Sequence, residues 1–143
     1  TRFNKILQRS PRPVLVVPED ANSKMDKAIL AYDGSPKADE ALYLTTYMAG
    51  NWSTELVVVS AGGKKAAAAL ERAREYLAAR QVEAEFIQVE RPVGRAILDA
   101  AESQGSDMIV MGGFGRRSAL QAVVGSTVTK ILREAKTPLF ICR

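Results

Sequence analysis

The sequence predicts an α/β fold: an open sheet of five parallel strands flanked by helices, preceded by a helix and strand that repeat its own end. Three observations carry this expectation. From Lys27 onward, short apolar β-rich runs alternate with longer segments of helical period, the pattern of a parallel sheet with crossover helices. The 143 residues are 47% hydrophobic and 25% charged, ordinary for one globular domain that buries a core without disulfides or metals. Finally, residues 4–17 resemble residues 129–142.

That repeat sets the first elements. Asn4-Lys-Ile-Leu, continuing to Pro13-Val-Leu-Val-Val17, aligns without a gap on Thr129-Lys-Ile-Leu, continuing to Pro138-Leu-Phe-Ile-Cys142. Lys, Ile, Leu and Pro coincide; a chance likeness between two helix-proline-strand units is the alternative. On the repeat reading, residues 1–18 are the C-terminal helix and strand of a preceding copy, 19–26 a polar linker, and 27–143 the domain proper. The natural protein is then expected to be a tandem.

The first strand of the domain, Lys27 to Tyr32, ends in Asp33-Gly34-Ser35-Pro36, where Ser35 can cap a helix opened by Pro36. That helix is expected to reach Ala49 and stop at Gly50. Glu55 to Ser60 is continuously apolar, as a strand covered on both faces should be. After Gly62-Gly63, Lys64 to Arg80 is rich in helix formers, with Ala66, Leu70, Ala73 and Leu77 along one face. Phe86 to Val89 reads as a strand, Pro92 to Ser103 as a helix, and Asp107 to Met111 as the fourth strand, with Gly105 as the stop between the last two. A helix capped by Ser126 should run to about Ala135, and Leu139 to Cys142 makes the fifth strand.

Composition removes several function classes. The chain has no histidine, which excludes Ser-His-Asp and HExxH arrangements and the commonest general base. Its single Cys142 lies in an apolar run and reads as a buried, inert thiol. A net charge of +4 is scattered among acids, and Tyr32, Tyr43, Tyr47 and Trp52 lack basic interleaving, so no nucleic-acid platform is expected. No apolar run approaches the roughly 20 residues of a membrane helix. The expectation is a cytoplasmic protein without membrane partners.

In an open parallel sheet, ligands bind beyond the carboxyl ends of strands where strand order reverses, which singles out the loops after the first and fourth strands. The latter reads Gly112-Gly-Phe-Gly115-Arg-Arg, followed by the Gly125-Ser126 helix start. Glycines let backbone N–H groups approach a phosphate, and a helix N-terminus offers unpaired donors and a positive dipole end. Turning the chain is the plainer use of the same glycines.

The spacing Gly112-x2-Gly115-x9-Gly125-Ser126, with Ala31-Tyr-Asp-Gly-Ser35 and Asp107-Met-Ile-Val-Met-Gly112 around it, resembles the ATP-binding branch of the universal stress protein family over residues 27–143. The resemblance implies a Rossmann-like fold of the adenine nucleotide alpha hydrolase type. It places Ala31, Tyr32 and Asp33 beside adenosine and Val59 against adenine. Met111 and Gly112 fall on the ribose and adenine side of the loop, and Gly115, Gly125, Ser126 and Thr127 around the phosphates. Arg116 is a candidate for the outer phosphates, or else simply solvated like Arg117, and Asp33 has an alternative role as a turn residue. Phe114, where small or basic residues are usual, either covers the base or only packs. The Ser60-Ala-Gly-Gly-Lys64 loop is shorter than usual, leaving one wall of the adenine pocket open. Implied too are ATP, with Mg2+ or Mn2+ bridging its phosphates, and a homodimer or tandem pseudo-dimer through Leu139 to Cys142 and Val14 to Val17. The implied role is a nucleotide-dependent regulatory module in stress response. Slow ATP hydrolysis and a nucleotide-free dimerisation module are the alternatives.

Overall fold

The computed structural model describes residues 2–113 and 126–142. In chain order the elements are α1 (Arg2–Arg9), β1 (Val14–Val16), β2 (Lys27–Ala31), α2 (Pro36–Trp52), β3 (Glu55–Ala61), α3 (Lys64–Ala79), β4 (Glu85–Val89), α4 (Val93–Ser103), β5 (Met108–Gly112), α5 (Ser126–Glu134) and β6 (Leu139–Cys142). The strands form one sheet in the order β1-β6-β5-β2-β3-β4, so it has six strands rather than the expected five. β2 to β6 are mutually parallel. The sixth, β1, joins the edge antiparallel to β6 through Val14↔Ile141, Leu15↔Phe140 and Val16↔Leu139. An uncovered β6 would present a row of unpaired backbone groups, and β1 satisfies them within the same chain.

Period-two alternation sorts the strand residues onto two covered faces. Ile29, Val57, Ile109, Leu139 and Ile141 pack with α4, α5 and Leu7 of α1 on one face. Ala28, Leu30, Val58, Val110 and Cys142 pack with α2 and α3 on the other. This double coverage explains the continuous apolar runs. Leu7, only 2% exposed, anchors α1.

Local differences from the expected boundaries have identifiable causes. α2 continues through Gly50 and ends at Ser53, which adopts a left-handed conformation with φ 57°. Gly50 is exposed, with open space where a Cβ would stand, so it is tolerated inside the helix, and the left-handed residue supplies the stop instead. α5 is described from Ser126 onward, and the residues just before it lie outside the described residues. Asp107 lies just before β5, and its carboxylate accepts hydrogen bonds from the backbone N–H groups of Lys24, Asp26 and Lys27. Thr54 donates its hydroxyl to the Met25 carbonyl. The polar stretch before β2 is thereby pinned beneath the amino ends of β2, β3 and β5, away from the strand ends where ligands bind. No described helix is long and apolar enough to cross a membrane.

Candidate functional site

β2 pairs with β3 on one side and β5 on the other, so chain order reverses between β2 and β5. Beyond the carboxyl ends of these strands lies a cavity of about 370 Å³, within the size range of small-molecule sites. Ala31, Tyr32, Asp33, Val59, Met111, Gly112, Ser126 and Thr127, all picked out in the sequence, line it together. The remaining candidates, Gly115, Arg116 and Gly125, and with them Phe114 and Arg117, lie outside the described residues.

The lining has three chemically distinct parts. At one end Val59, Ala61, Val93 and Ile97 make an apolar recess, with exposed Arg91 at its rim. Asp33, at the end of β2, occupies the middle. At the other end stand Gly112, Gly113 and the first described residues of α5, Ser126 to Val128. A helix N-terminus offers unpaired backbone N–H groups and the positive end of the helix dipole, a natural seat for an anion, and the described part of α5 opens here. β3 and β5 are two strand spacings apart in the sheet, so Val59 and Met111 lie roughly 10 Å from each other.

The turn that presents Asp33 is tightly specified. Asp33 Oδ1 accepts the Ser35 N–H at 2.9 Å, Gly34 takes φ +78°, and Ser35 caps α2 by accepting the Ala38 N–H at 3.3 Å. The turn role and a ligand role are therefore compatible, because the second carboxylate oxygen of Asp33 has no hydrogen-bond partner among the described residues. Tyr32 reaches the opposite face of the sheet, where its hydroxyl donates to Asp39 Oδ1 at 2.6 Å. Asp39 in turn holds Arg72 at 2.6 Å, and Arg72 also donates to the Gly34 carbonyl. Burial, reinforced by the Asp39 hydrogen bond, pushes the Tyr32 phenol far above its usual range, so it stays a neutral donor. Tyr32 thus borders the cavity with its main chain while its side chain braces the Asp33 turn.

Gly112 has a packing reason to be glycine. A Cβ there would stand 2.8 Å from the Lys37 carbonyl carbon and 2.9 Å from the Ala38 nitrogen, the first turn of α2. Cys142, level with Gly112 on β6, is buried, which pushes its thiol up to about 11. Burial of the thiol is what its apolar run implied. No group of three or more potential metal-ligating side chains occurs among the described residues.

The sequence reading missed Ala61, Arg91, Val93, Ile97 and Val128 on the cavity wall. Val93 and Ile97 are four apart on α4 and carried a helical-period signal. Arg91 carried none, because its place depends on two loops meeting.

Similarity to known proteins agrees with this geometry. A universal stress protein of Synechocystis is 28% identical over 149 residues, matching 99% of this chain and 50% of its own length. A universal stress protein structure from Archaeoglobus fulgidus superposes with a TM-score of 0.86 at 27% identity, covering 99% of this chain and 54% of that one. Another Archaeoglobus fulgidus universal stress protein, solved in complex with dAMP, shares the fold with a TM-score of 0.66 at 20% identity, covering 83% of this chain and 98% of that one. The chain spans about half the length of the curated relative and of the first of these structures. The model of the universal stress protein family matches residues 61–143, more than half of the chain, and the chain belongs to that family.

Proposed function

We propose that the cleft binds an adenine nucleotide, ATP in the first instance, and that the bound state regulates the association of this domain. The observation that carries the reading is the order of chemistry along the cavity: apolar recess, carboxylate, helix N-terminus. A nucleotide has the complementary order of flat base, ribose hydroxyls and phosphate. Asp33 would accept from the ribose, Val59 would face the base, and Ser126 and Thr127 would donate to phosphate. Proteins of this fold solved with dAMP, cAMP and AMP lend support to the adenosine part. The preference for ATP rests on the Gly112-x2-Gly115-x9-Gly125-Ser126 spacing.

A divalent ion fits only as a passenger on the phosphates. Mg2+ is usually held by phosphates plus one or two carboxylates, and Asp33 is the one carboxylate lining the described cleft. Binding rather than turnover is the proposed activity, since the chain has neither histidine nor a Walker loop; any hydrolysis would be slow. We place this activity in the cytoplasm and in stress response.

The test is equilibrium titration with ATP and AMP, with and without Mg2+, on the unmodified chain and on Asp33→Asn. Asparagine keeps the turn hydrogen bond to Ser35 but loses the charge. Losing a hydrogen bond to a charged group, about 1.5–3 kcal/mol, should weaken binding about tenfold or more. An unmodified chain that binds no adenine nucleotide at millimolar concentration overturns the reading in favour of a nucleotide-free dimerisation module.

Association is proposed to run through the β1–β6 edge, with residues 1–18 as the end of one repeat, 19–26 as the linker and 27–143 as the next. In the repeat alignment Val14, Leu15 and Val16 correspond to Leu139, Phe140 and Ile141. The observed register is therefore unchanged when the two strands are exchanged, a local two-fold centred on the Leu15–Phe140 pair. Ile6 is 58% exposed while its counterpart Ile131 is fully buried, which is what a strand-helix unit separated from its own core would display. Removing residues 2–18 should uncover β6 and raise the dimer fraction in sedimentation, and a deletion that stays monomeric refutes this assembly.

A further inference from the structure

We propose that Arg91 is the wall of the base end of the cleft and that its guanidinium stacks on the ring of the bound nucleotide; this rests on the nucleotide reading above. β3 ends at Ala61 and α3 begins at Lys64, so only Gly62 and Gly63 join them, and neither has a side chain to close the recess. The neighbouring loop supplies one. Gln88 donates its amide to the Gly62 and Gly63 carbonyls at 2.8 and 3.0 Å, and the Gly62 N–H donates to the Val89 carbonyl. These bonds hold the glycine turn against the end of β4. Arg91 follows two residues after Val89, and its Nε lies 3.9 Å from where a Cβ would stand at Gly62.

Its guanidinium is also uncommitted. Arg72, Arg74 and Arg95 each hold a carboxylate, whereas Arg91 makes no ion pair among the described residues and lines the cavity beside Val93 and Ala61. A planar, weakly hydrated cation at the lip of an apolar recess is suited to the face of an aromatic ring. The phosphates are assigned to α5, which follows β5, two strand spacings or roughly 10 Å from β3 across the sheet. Arg91, set against the Gly62 turn and sharing the lining with Ala61, is therefore assigned to the base and not to the anionic tail.

The experiment titrates adenosine, AMP and ATP into the unmodified chain, Arg91→Ala and Arg91→Lys at one ionic strength. Arg91→Ala should weaken all three by a common factor of about 2- to 30-fold, the range of a cation–π contact. Arg91→Lys should recover only part of the loss, since an ammonium has no flat face. The melting temperature should not move, because the side chain is exposed. A loss that grows from adenosine to ATP overturns the proposal by placing Arg91 on phosphate, and unchanged affinities for all three overturn it as a solvated side chain. An unmodified chain that binds none of the three removes the nucleotide reading itself, and this assignment with it.

Discussion

One added methyl group should destabilise the chain at Gly112 and stabilise it at Gly50. At Gly112 the new Cβ meets the Lys37 carbonyl carbon at 2.8 Å, the Ala38 nitrogen at 2.9 Å and the Lys37 Cβ at 3.0 Å. These atoms belong to the first turn of α2, fixed by the Ser35 cap, and cannot rotate away. Either α2 or β5 must give by roughly half an ångström in a close-packed layer, and overpacking of this kind costs about 1–3 kcal/mol. For a chain of 143 residues each kcal/mol moves the melting temperature by about 3–4 °C, so Gly112→Ala should melt about 3–10 °C lower. Gly50, inside α2, has nothing within 4 Å of the same position. Gly50→Ala removes backbone freedom from the unfolded chain and should gain about 0.5–1 kcal/mol, or about 2–4 °C. Thermal melts and urea unfolding followed by circular dichroism decide both. A Gly112→Ala midpoint equal to or above that of the unmodified chain refutes the packing argument, whatever Gly50→Ala does.

Three further outcomes are expected. Tyr32→Phe removes the hydroxyl donated to Asp39 and should cost about 1–2 kcal/mol in urea unfolding, with Asp39 still held by Arg72. Cys142 and Tyr32 are kept neutral by burial and lose their protons more easily when unfolded. The stability they lend is whole below about pH 9 and should drain away as the pH rises through about 11 for the thiol, with Tyr32 adding to the loss at higher pH. Alkaline melts that stay flat from pH 8 to pH 11 would contradict this, as would modification of the 2% exposed Cys142 by a thiol reagent at pH 8 without denaturant. Leu7→Ala empties the contact that anchors α1, a loss of about 2–5 kcal/mol for a fully buried leucine. It should speed proteolysis between residues 10 and 26 while leaving residues 27–113 protected; unchanged cleavage would show that β1 alone holds the segment.

Much of the fold could be read because its signals are local. Continuous apolar runs at residues 27–31 and 55–61, and the Ala-Leu stripe of α3, each need only their own window to be recognised. The errors came where tertiary context decides. Gly50 reads as a stop, but an exposed glycine costs a helix only about 1 kcal/mol, and the left-handed Ser53 ends the helix three residues later. Asp107 reads as strand, yet its carboxylate collects three backbone N–H groups from residues some eighty positions earlier, which no window can contain. The sixth strand was visible as a repeat of the last one. What the repeat could not settle is whether Val14 to Val16 fold onto their own chain, and the antiparallel register shows that they do.

The same distinction separates the two ends of the site. Asp33 and Gly112 sit at strand ends, where the parallel topology itself directs ligands, so a strand-then-turn pattern is enough to find them. Arg91 reaches the cavity only because Gln88 and Val89 hold a glycine turn that lies some twenty-six residues earlier. The structure also changes what the glycine spacing can testify to. Gly112 is demanded by the backbone of α2 whether or not a phosphate is present, so a bulky residue there would disturb the fold before it reported on a ligand. Evidence for phosphate contact must therefore come from the start of the described part of α5, where Ser126 is exposed. A loss of affinity at Ser126→Pro, without a matching fall in stability, would isolate a backbone contact that a change at Gly112 cannot.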